Sequence, residues 1–557
     1  MSASRTSDLW WKNGIIYCLD VETFLDTDGD GRGDLPGLTD RVDYLAGMGV
    51  TCIWLMPFYP SPNRDDGYDI TDYYSVDPTL GSLGDLVAFI RTAKDRGMRI
   101  IVDLVVNHTS DQHPWFRSAR RSKDSPHRDW YVWAEEEPKE PHAEVVFPDA
   151  EDSIWTEDDK TGEWYLHHFY SHQPDLNIGN PAVREEIAKI AGFWLQVGVD
   201  GFRVDAVPFL IETEATGAEG DLSLDPHEMI RDLRAFMARR RGDSVLLGEV
   251  NLPPEDLVEF FGDDDELELL FDFPLMQAMY LALARCDAGP IRGALEARPE
   301  IPEDAQWAIF VRNHDELTLD QLSDEERQEV FDAFGPEEHM QLYDRGLRRR
   351  LPPMLDGDQD RIRMVYSMLF SLPGTPVLFY GEEIGMGENL DIEGRLSVRT
   401  PMQWTAGKNA GFSSARPSRL TRPVPDGQFG PLAVNVADQR RRTDSLLTWM
   451  ERMIRRRRET PELGWGTTML LDTGDDAVLA HRCDWERSAV VAIHNLSPTP
   501  RELRLDLGPM EGCDQVVDLL DAAQPVHEVD GSTVELTLAG YAHHWFRLQD
   551  SSGSTPP

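Results

Sequence analysis

Short apolar runs rich in Val, Ile, Leu and Phe alternate along the chain with longer stretches whose apolar positions recur every three to four residues, the pattern of strands followed by amphipathic helices. Such runs fall at 14–21 (GIIYCLDV), 50–57 (VTCIWLMP), 99–107 (RIIVDLVVN), 201–207 (GFRVDAV), 244–250 (SVLLGEV), 267–274 (LELLFDFP), 307–315 (WAIFVRNHD) and 375–383 (TPVLFYGEE). Eight strands with helix-like sequence between them predict an α/β fold, a (β/α)8 TIM barrel. Segments such as LTDRVDYLAGMG and LGDLVAFIRTAKDRG each close on a glycine, which suits a helix end. The gap between the third and fourth runs is too long for a simple crossover and is full of Trp, Tyr, His and Pro. Residues 109–174 are therefore expected to form an inserted subdomain on the active face, with 1–108 and 175–463 making the barrel. The alternating sequence after that predicts a C-terminal antiparallel β-sandwich over 464–549, and the polar 550–557 a disordered tail.

Composition narrows the function. With 41% hydrophobic residues and no apolar run near ~18 residues, nothing is expected to span a membrane. No stretch of signal-peptide character opens the chain, so a cytoplasmic location is expected. The five cysteines are scattered and lack CxxC spacing, which argues against both a disulfide framework and a zinc site. A formal charge of −46 repels nucleic acid and anionic membranes and leaves neutral small molecules as the natural substrates. Acidity spread over many loops also fits simple solubility or a saline cytoplasm. The sequence leaves the oligomeric state open, a homo-oligomer included.

The informative residues are charges inside strands. In GFRVDAV, Phe202, Val204 and Ala206 share one side and Arg203 and Asp205 the other, so both charges point into the barrel near its C-terminal mouth. A structural ion pair would explain them alone, but buried pairs seldom improve on hydrophobic replacement. The pattern recurs: the fifth run ends in Glu249, the seventh in His314 and Asp315, the third in Asn107 and His108. Three carboxylates, two histidines and an arginine at one mouth each cost desolvation unless a ligand or partner compensates. Without a nucleophilic serine or cysteine motif, the carboxylates suit glycoside cleavage with retention, which needs a nucleophile and an acid/base about 5 to 5.5 Å apart. Arg203 would keep Asp205 ionised, Glu249 would need a setting that keeps it protonated, and His108 and His314 would serve as hydrogen-bonding clamps.

The blocks DLVVNH, GFRVDAV, GEVN and RNHDE, in order at strand ends, resemble the four conserved blocks of the α-amylase superfamily, glycoside hydrolase family 13. The resemblance implies Asp205 as nucleophile, Glu249 as acid/base and Asp315 as transition-state stabiliser. RDDGYD (64–69) is similar to the segment whose Asp65 and Tyr68 close the glucose subsite, and VRTPMQW (398–404) to the one that supplies Arg399 to meet that aspartate. QPDLN (173–177), with Gln173, is similar to a block of the exo-acting members. Further stretches, among them DWYVW, HHFYSHQPDLN and GEEIGMGENL, look most like the trehalose-synthase branch, which interconverts maltose and trehalose. NLPPED (251–256), CLDVETF and the acidic 213–226 depart from that branch's usual pattern. The nearest alternative is an α-glucosidase or other exo-acting α-glucosyltransferase with the same triad. The distant one is a non-catalytic amylase-like scaffold, which the retained carboxylates oppose. A maltokinase partner is implied by the resemblance alone; no organic cofactor is.

DTDGDGRGD (26–34) alternates Asp26, Asp28, Asp30 and Asp34 with glycines, a spacing that lets oxygens fold around Ca2+, although Gly37 stands where an EF-hand places its closing glutamate. By resemblance the Arg32 carbonyl joins that site. A second calcium site, again by resemblance, would use Asn107, Asp175 and Glu212.

Overall fold

In a computed structural model, which describes residues 9–138, 145–211, 227–509, 513–521 and 526–550, eight parallel strands close into a barrel. They are β1 (Ile16–Leu19), β2 (Cys52–Leu55), β3 (Arg99–Leu104), β4 (Gly201–Val204), β5 (Val245–Gly248), β6 (Leu269–Phe271), β7 (Gln306–Ile309) and β8 (Thr375–Phe379). Each predicted run contains one of them, and each strand pairs with its neighbours in chain order, β8 closing on β1. The strands are buried on both faces, which is why they read as continuous apolar runs rather than alternating ones. Asp103 of β3 lies directly across from Arg203 of β4.

The helices follow local signals. Ser82 caps the helix Leu83–Asp95 and shares a reciprocal capping box with Asp85. The segment predicted as one helix over 38–49 is instead two, Leu35–Asp40 and Val42–Met48, broken at Arg41, whose guanidinium lies 4.3 Å from the Trp404 ring centroid. Gly49 ends the second in the left-handed conformation, as the glycine predicted.

Within 109–174 a three-stranded sheet (Trp133–Ala134, Trp155–Glu157, Trp164–Leu166) is packed by aromatic rings, with Phe116 5.0 Å from Tyr131 and 5.1 Å from Tyr165. At the C-terminal end a six-stranded sheet faces a two-stranded one across an apolar core that includes Val491, Ile493, Leu505 and Phe546. The larger sheet also shares the barrel's core. Alternate residues Leu479, Cys483, Val490, Ala492 and Trp545 face that side, and Trp545 Nε1 donates to Ser367 Oγ at 3.2 Å. All five cysteines are free, and no helix among the described residues is long and apolar enough to cross a membrane.

Candidate active site

The barrel mouth opens into a cavity of about 690 Å³, whose wall includes Asp65, Tyr68, His108, Asp205, Glu249 and Asp315. The three carboxylates read from separate strand ends therefore share one hollow. Arg203 organises two of them. Its Nη1 donates to Asp103 Oδ1 at 2.6 Å and Asp205 Oδ1 at 2.5 Å, and its Nη2 lies 2.6 Å from Glu249 Oε2. One planar guanidinium thus holds Asp205 and Glu249 side by side on adjacent nitrogens. Immediately after Asp205 the chain turns through Ala206 at φ 52°, a left-handed conformation uncommon for a non-glycine residue, and the Ala206 N–H donates to Glu249 Oε2 at 3.3 Å.

The electrostatics separate the carboxylates. Burial, reinforced by Asp205 and Asp315 and opposed by Arg203, pushes Glu249 up to about 7. Asp315 is also buried, yet hydrogen bonding from His314 and the charges of Arg395 and Arg399 hold it well below the usual carboxylate range. Burial pushes Asp103 up to about 7 despite Arg203. His314 is pushed down to about 4, again by burial, so its ring is neutral at physiological pH.

Around Asp65 the wall is closed by protein. Arg395 Nη2 donates to Asp65 Oδ1 at 2.6 Å while its Nη1 donates to Asp315 Oδ1 at 2.6 Å, and Gln173 Nε2 donates to Asp65 Oδ2 at 3.0 Å. Tyr68 OH and His314 Nε2 lie 2.7 Å apart and their rings stack at 5.7 Å. His314 Nε2 is also 3.1 Å from Asp315, and His108 Nε2 is 3.2 Å from the Tyr68 carbonyl. The two histidines read as sugar clamps thus make their described hydrogen bonds to protein groups. Gln173, Arg203, His314 and Arg399 stand behind the wall and orient the residues that form it.

One residue is corrected. Arg399 does not meet Asp65: its Nη1 donates to Asp66 Oδ2 at 2.7 Å, its Nη2 to Asp315 Oδ1 at 2.8 Å and its Nε to the His314 carbonyl at 2.8 Å. The partner of Asp65 is Arg395, four residues earlier in the same segment, and its guanidinium also packs 4.9 Å from the Phe147 ring. Sequence reading took the arginine next to TPMQW. Asp103 and Asp66 were missed as well, although Asp103 carries the signal that exposed Arg203, a charge inside an apolar strand.

In the acidic loop, Asp26, Asp28 and Asp34 bring carboxylate oxygens within 4.8 Å of one another, a hard-oxygen set that fits Ca2+. Asp30 is turned to the Arg32 N–H at 2.8 Å, and the Arg32 side chain pairs with Glu22 at 2.9 Å. At the second expected site, Asn107 Nδ2 donates to Asp175 Oδ1 at 3.3 Å and the other Asp175 oxygen pairs with His168. Glu212 and the acidic 213–226 lie outside the described residues.

Comparison with known proteins decides the family. The α-amylase catalytic domain matches residues 19–333 and 348–466. The chain belongs to the α-amylase family. Its C-terminal part, 488–547, matches the sucrose hydrolase-like C-terminal domain. This α-amylase family member is 42% identical over 556 residues to the trehalose synthase/amylase of Mycobacterium tuberculosis, covering 98% of this chain and 92% of the relative. It is 41% identical over 562 residues to the trehalose synthase of Pimelobacter sp., covering 98% and 97%. The crystal structure of trehalulose synthase from Pseudomonas mesoacidophila superposes with a TM-score of 0.76 at 26% identity, covering 97% of this chain and 99% of that one.

Proposed function

We propose that the protein is a retaining α-glucosyl enzyme that converts maltose to trehalose by intramolecular transfer, with α-glucosidase activity on the side. The observation that carries the chemistry is the single guanidinium of Arg203, which sets Asp205 and Glu249 side by side beside one sugar-sized cavity. That arrangement suits the short separation of a retaining pair. Likeness to trehalose synthases along nearly the whole chain supports isomerisation over plain hydrolysis.

In this reading an Asp205 oxygen attacks the anomeric carbon of the non-reducing glucose. The C1–O4 bond breaks as the Glu249 carboxyl gives its proton to the departing oxygen, leaving a glucosyl ester on Asp205 and a glucose in the cavity. Asp315, kept ionised by its basic neighbours, binds sugar hydroxyls and favours the positive transition state. The freed glucose turns so that its anomeric hydroxyl faces the ester. Glu249, now a carboxylate, takes that proton, the hydroxyl oxygen bonds to C1, and Asp205 leaves. Two inversions return the α configuration and give an α,α-1,1 bond. Water in place of the turned glucose gives hydrolysis, and the aromatic wall of Phe147 and Phe169 from the inserted segment limits its entry.

The Asp26–Asp28–Asp34 loop is assigned a structural Ca2+, with a chelator expected to lower the melting temperature and added Ca2+ to restore it. Incubation with maltose and resolution of the products tests the main reading. Trehalose as the principal product is expected; glucose alone would leave an α-glucosidase.

A further inference from the structure

A second ionic cluster lies beneath the Asp65 side of the cavity, and the chemistry above does not use it. Asp20 at the end of β1, Glu22 and Asp66 each place a carboxylate oxygen within 4.8 Å of the others. Carboxylates this close repel one another unless a cation stands among them. Here that cation is a side chain. Arg422, 5% exposed, donates through Nη1 to Asp20 Oδ2 at 3.1 Å and to the Arg399 carbonyl at 2.9 Å. Its Nη2 donates to Asp66 Oδ1 and lies 3.6 Å from Glu22 Oε2.

Asp66 is thereby shared. One oxygen takes Arg422 and the other takes Arg399, whose second nitrogen reaches Asp315. Although burial would raise Asp66, Arg422 and Arg399 hold it below its ordinary range. The strongest pairing available to an arginine and a carboxylate is the bidentate one, both nitrogens on both oxygens. By occupying one Asp66 oxygen and the Arg399 carbonyl, Arg422 blocks that pairing and leaves Arg399 Nη2 on Asp315.

The segment that delivers Arg422 is itself clamped. The Asp26 N–H donates to the Phe412 carbonyl at 2.9 Å, Ser413 Oγ to Asp26 Oδ2 at 2.5 Å, and the Thr421 N–H to the Gly31 carbonyl at 2.9 Å. At Gly31 a Cβ would come within 2.0 Å of the Arg419 carbonyl oxygen, and φ is +108°, so the close approach requires glycine. The acidic loop seats the segment, and the segment seats Arg422.

We propose that Arg422 is a positioning residue for glucosyl transfer, acting through Asp66 and Arg399 to fix Asp315 against the sugar. This rests on the reading of Asp315 as the transition-state stabiliser. Arg422→Lys keeps a charge in the acidic cluster but cannot span its four acceptors; Arg422→Gln removes the charge. Both are measured for kcat and KM on maltose and for melting temperature, beside Asp66→Asn and the two Arg422 variants combined with Asp66→Asn. Expected are kcat losses of about tenfold for Arg422→Lys and about 10²-fold for Arg422→Gln, with KM changed by no more than about threefold. Adding Asp66→Asn, which weakens the competing pull on Arg399, should recover part of either loss, an outcome that a merely structural role would not give. Full kcat in Arg422→Lys and Arg422→Gln, or losses that simply multiply with that of Asp66→Asn, overturns the inference. If Arg422→Gln does not fold, the Lys series alone decides it on the same criteria. Asp315→Asn run in parallel separates the two failures: activity there removes the triad reading, whereas its inactivity beside unimpaired Arg422 variants removes only Arg422.

Discussion

On the Asp65 side of the cavity the carboxylates and the tyrosine are satisfied by protein, Asp65 by Arg395 and Gln173, Tyr68 by His314, and Asp315 by Arg395 and Arg399, while His314 Nδ1 behind them is buried without a partner among the described residues. Elsewhere on the wall Asn251 donates to Asp320 at 2.7 Å and Glu316 pairs with Arg345 at 3.2 Å. There Asn251 Oδ1 and Thr318 Oγ1 are buried with no hydrogen-bond partner among the described residues. The first side is pre-organised before any sugar arrives, which suits the single terminal glucose of the proposed reaction. The second is wired less completely, since Asn251 and Thr318 each keep a buried polar atom without a partner among the described residues. That difference is what an isomerase needs: a fixed donor and a captive acceptor able to turn.

The comparison can be broken at several points. Both sides serve the ester on Asp205, so Asp205→Asn should lower kcat by about 10⁴-fold or more with the melting temperature preserved. Measurable turnover of maltose by that variant would move the nucleophile elsewhere. Arg395→Ala opens the closed side. It should cost about 10²-fold in kcat/KM for maltose and let internal cleavage products emerge from maltohexaose. An unchanged product pattern would mean that Arg395 does not close the subsite.

The pH profile tests Glu249. Burial raises its carboxyl to about 7, so the protonated acid is present below that value and lost as pH rises through it. The kcat/KM profile should then fall above pH 7 by about tenfold per unit, and a flat profile to pH 9 would contradict the assignment. The smallest effects are expected on the acceptor side. Thr318→Val and Asn251→Ala should each raise the ratio of glucose to trehalose about two- to fivefold while leaving total maltose consumption within about threefold.

Much of this was legible because the signal is local. Charges such as Arg203 and Glu249 stand out in strands that burial makes apolar, and alternation along a strand shows which way Arg203 points. The eight barrel strands could be read for the same reason. The ionic wiring could not. Arg395 and Asp65 are 330 residues apart and Arg422 and Asp66 356 apart, and no spacing rule distinguishes Arg395 from Arg399 as the partner of Asp65. Asp20 and Glu22, in and just after the first apolar run, carry no sequence sign of a shared partner, and only the fold brings Arg422 between them. The break at Arg41 was hidden too, since 38–49 keeps one amphipathic period across it.

The most direct test is to convert unlabelled maltose in the presence of excess 13C-labelled free glucose and analyse the trehalose by mass. A captive acceptor predicts trehalose without label, at any glucose concentration that leaves the enzyme active. Trehalose labelled in proportion to free glucose would show that the first glucose leaves before the new bond forms, contrary to an intramolecular transfer.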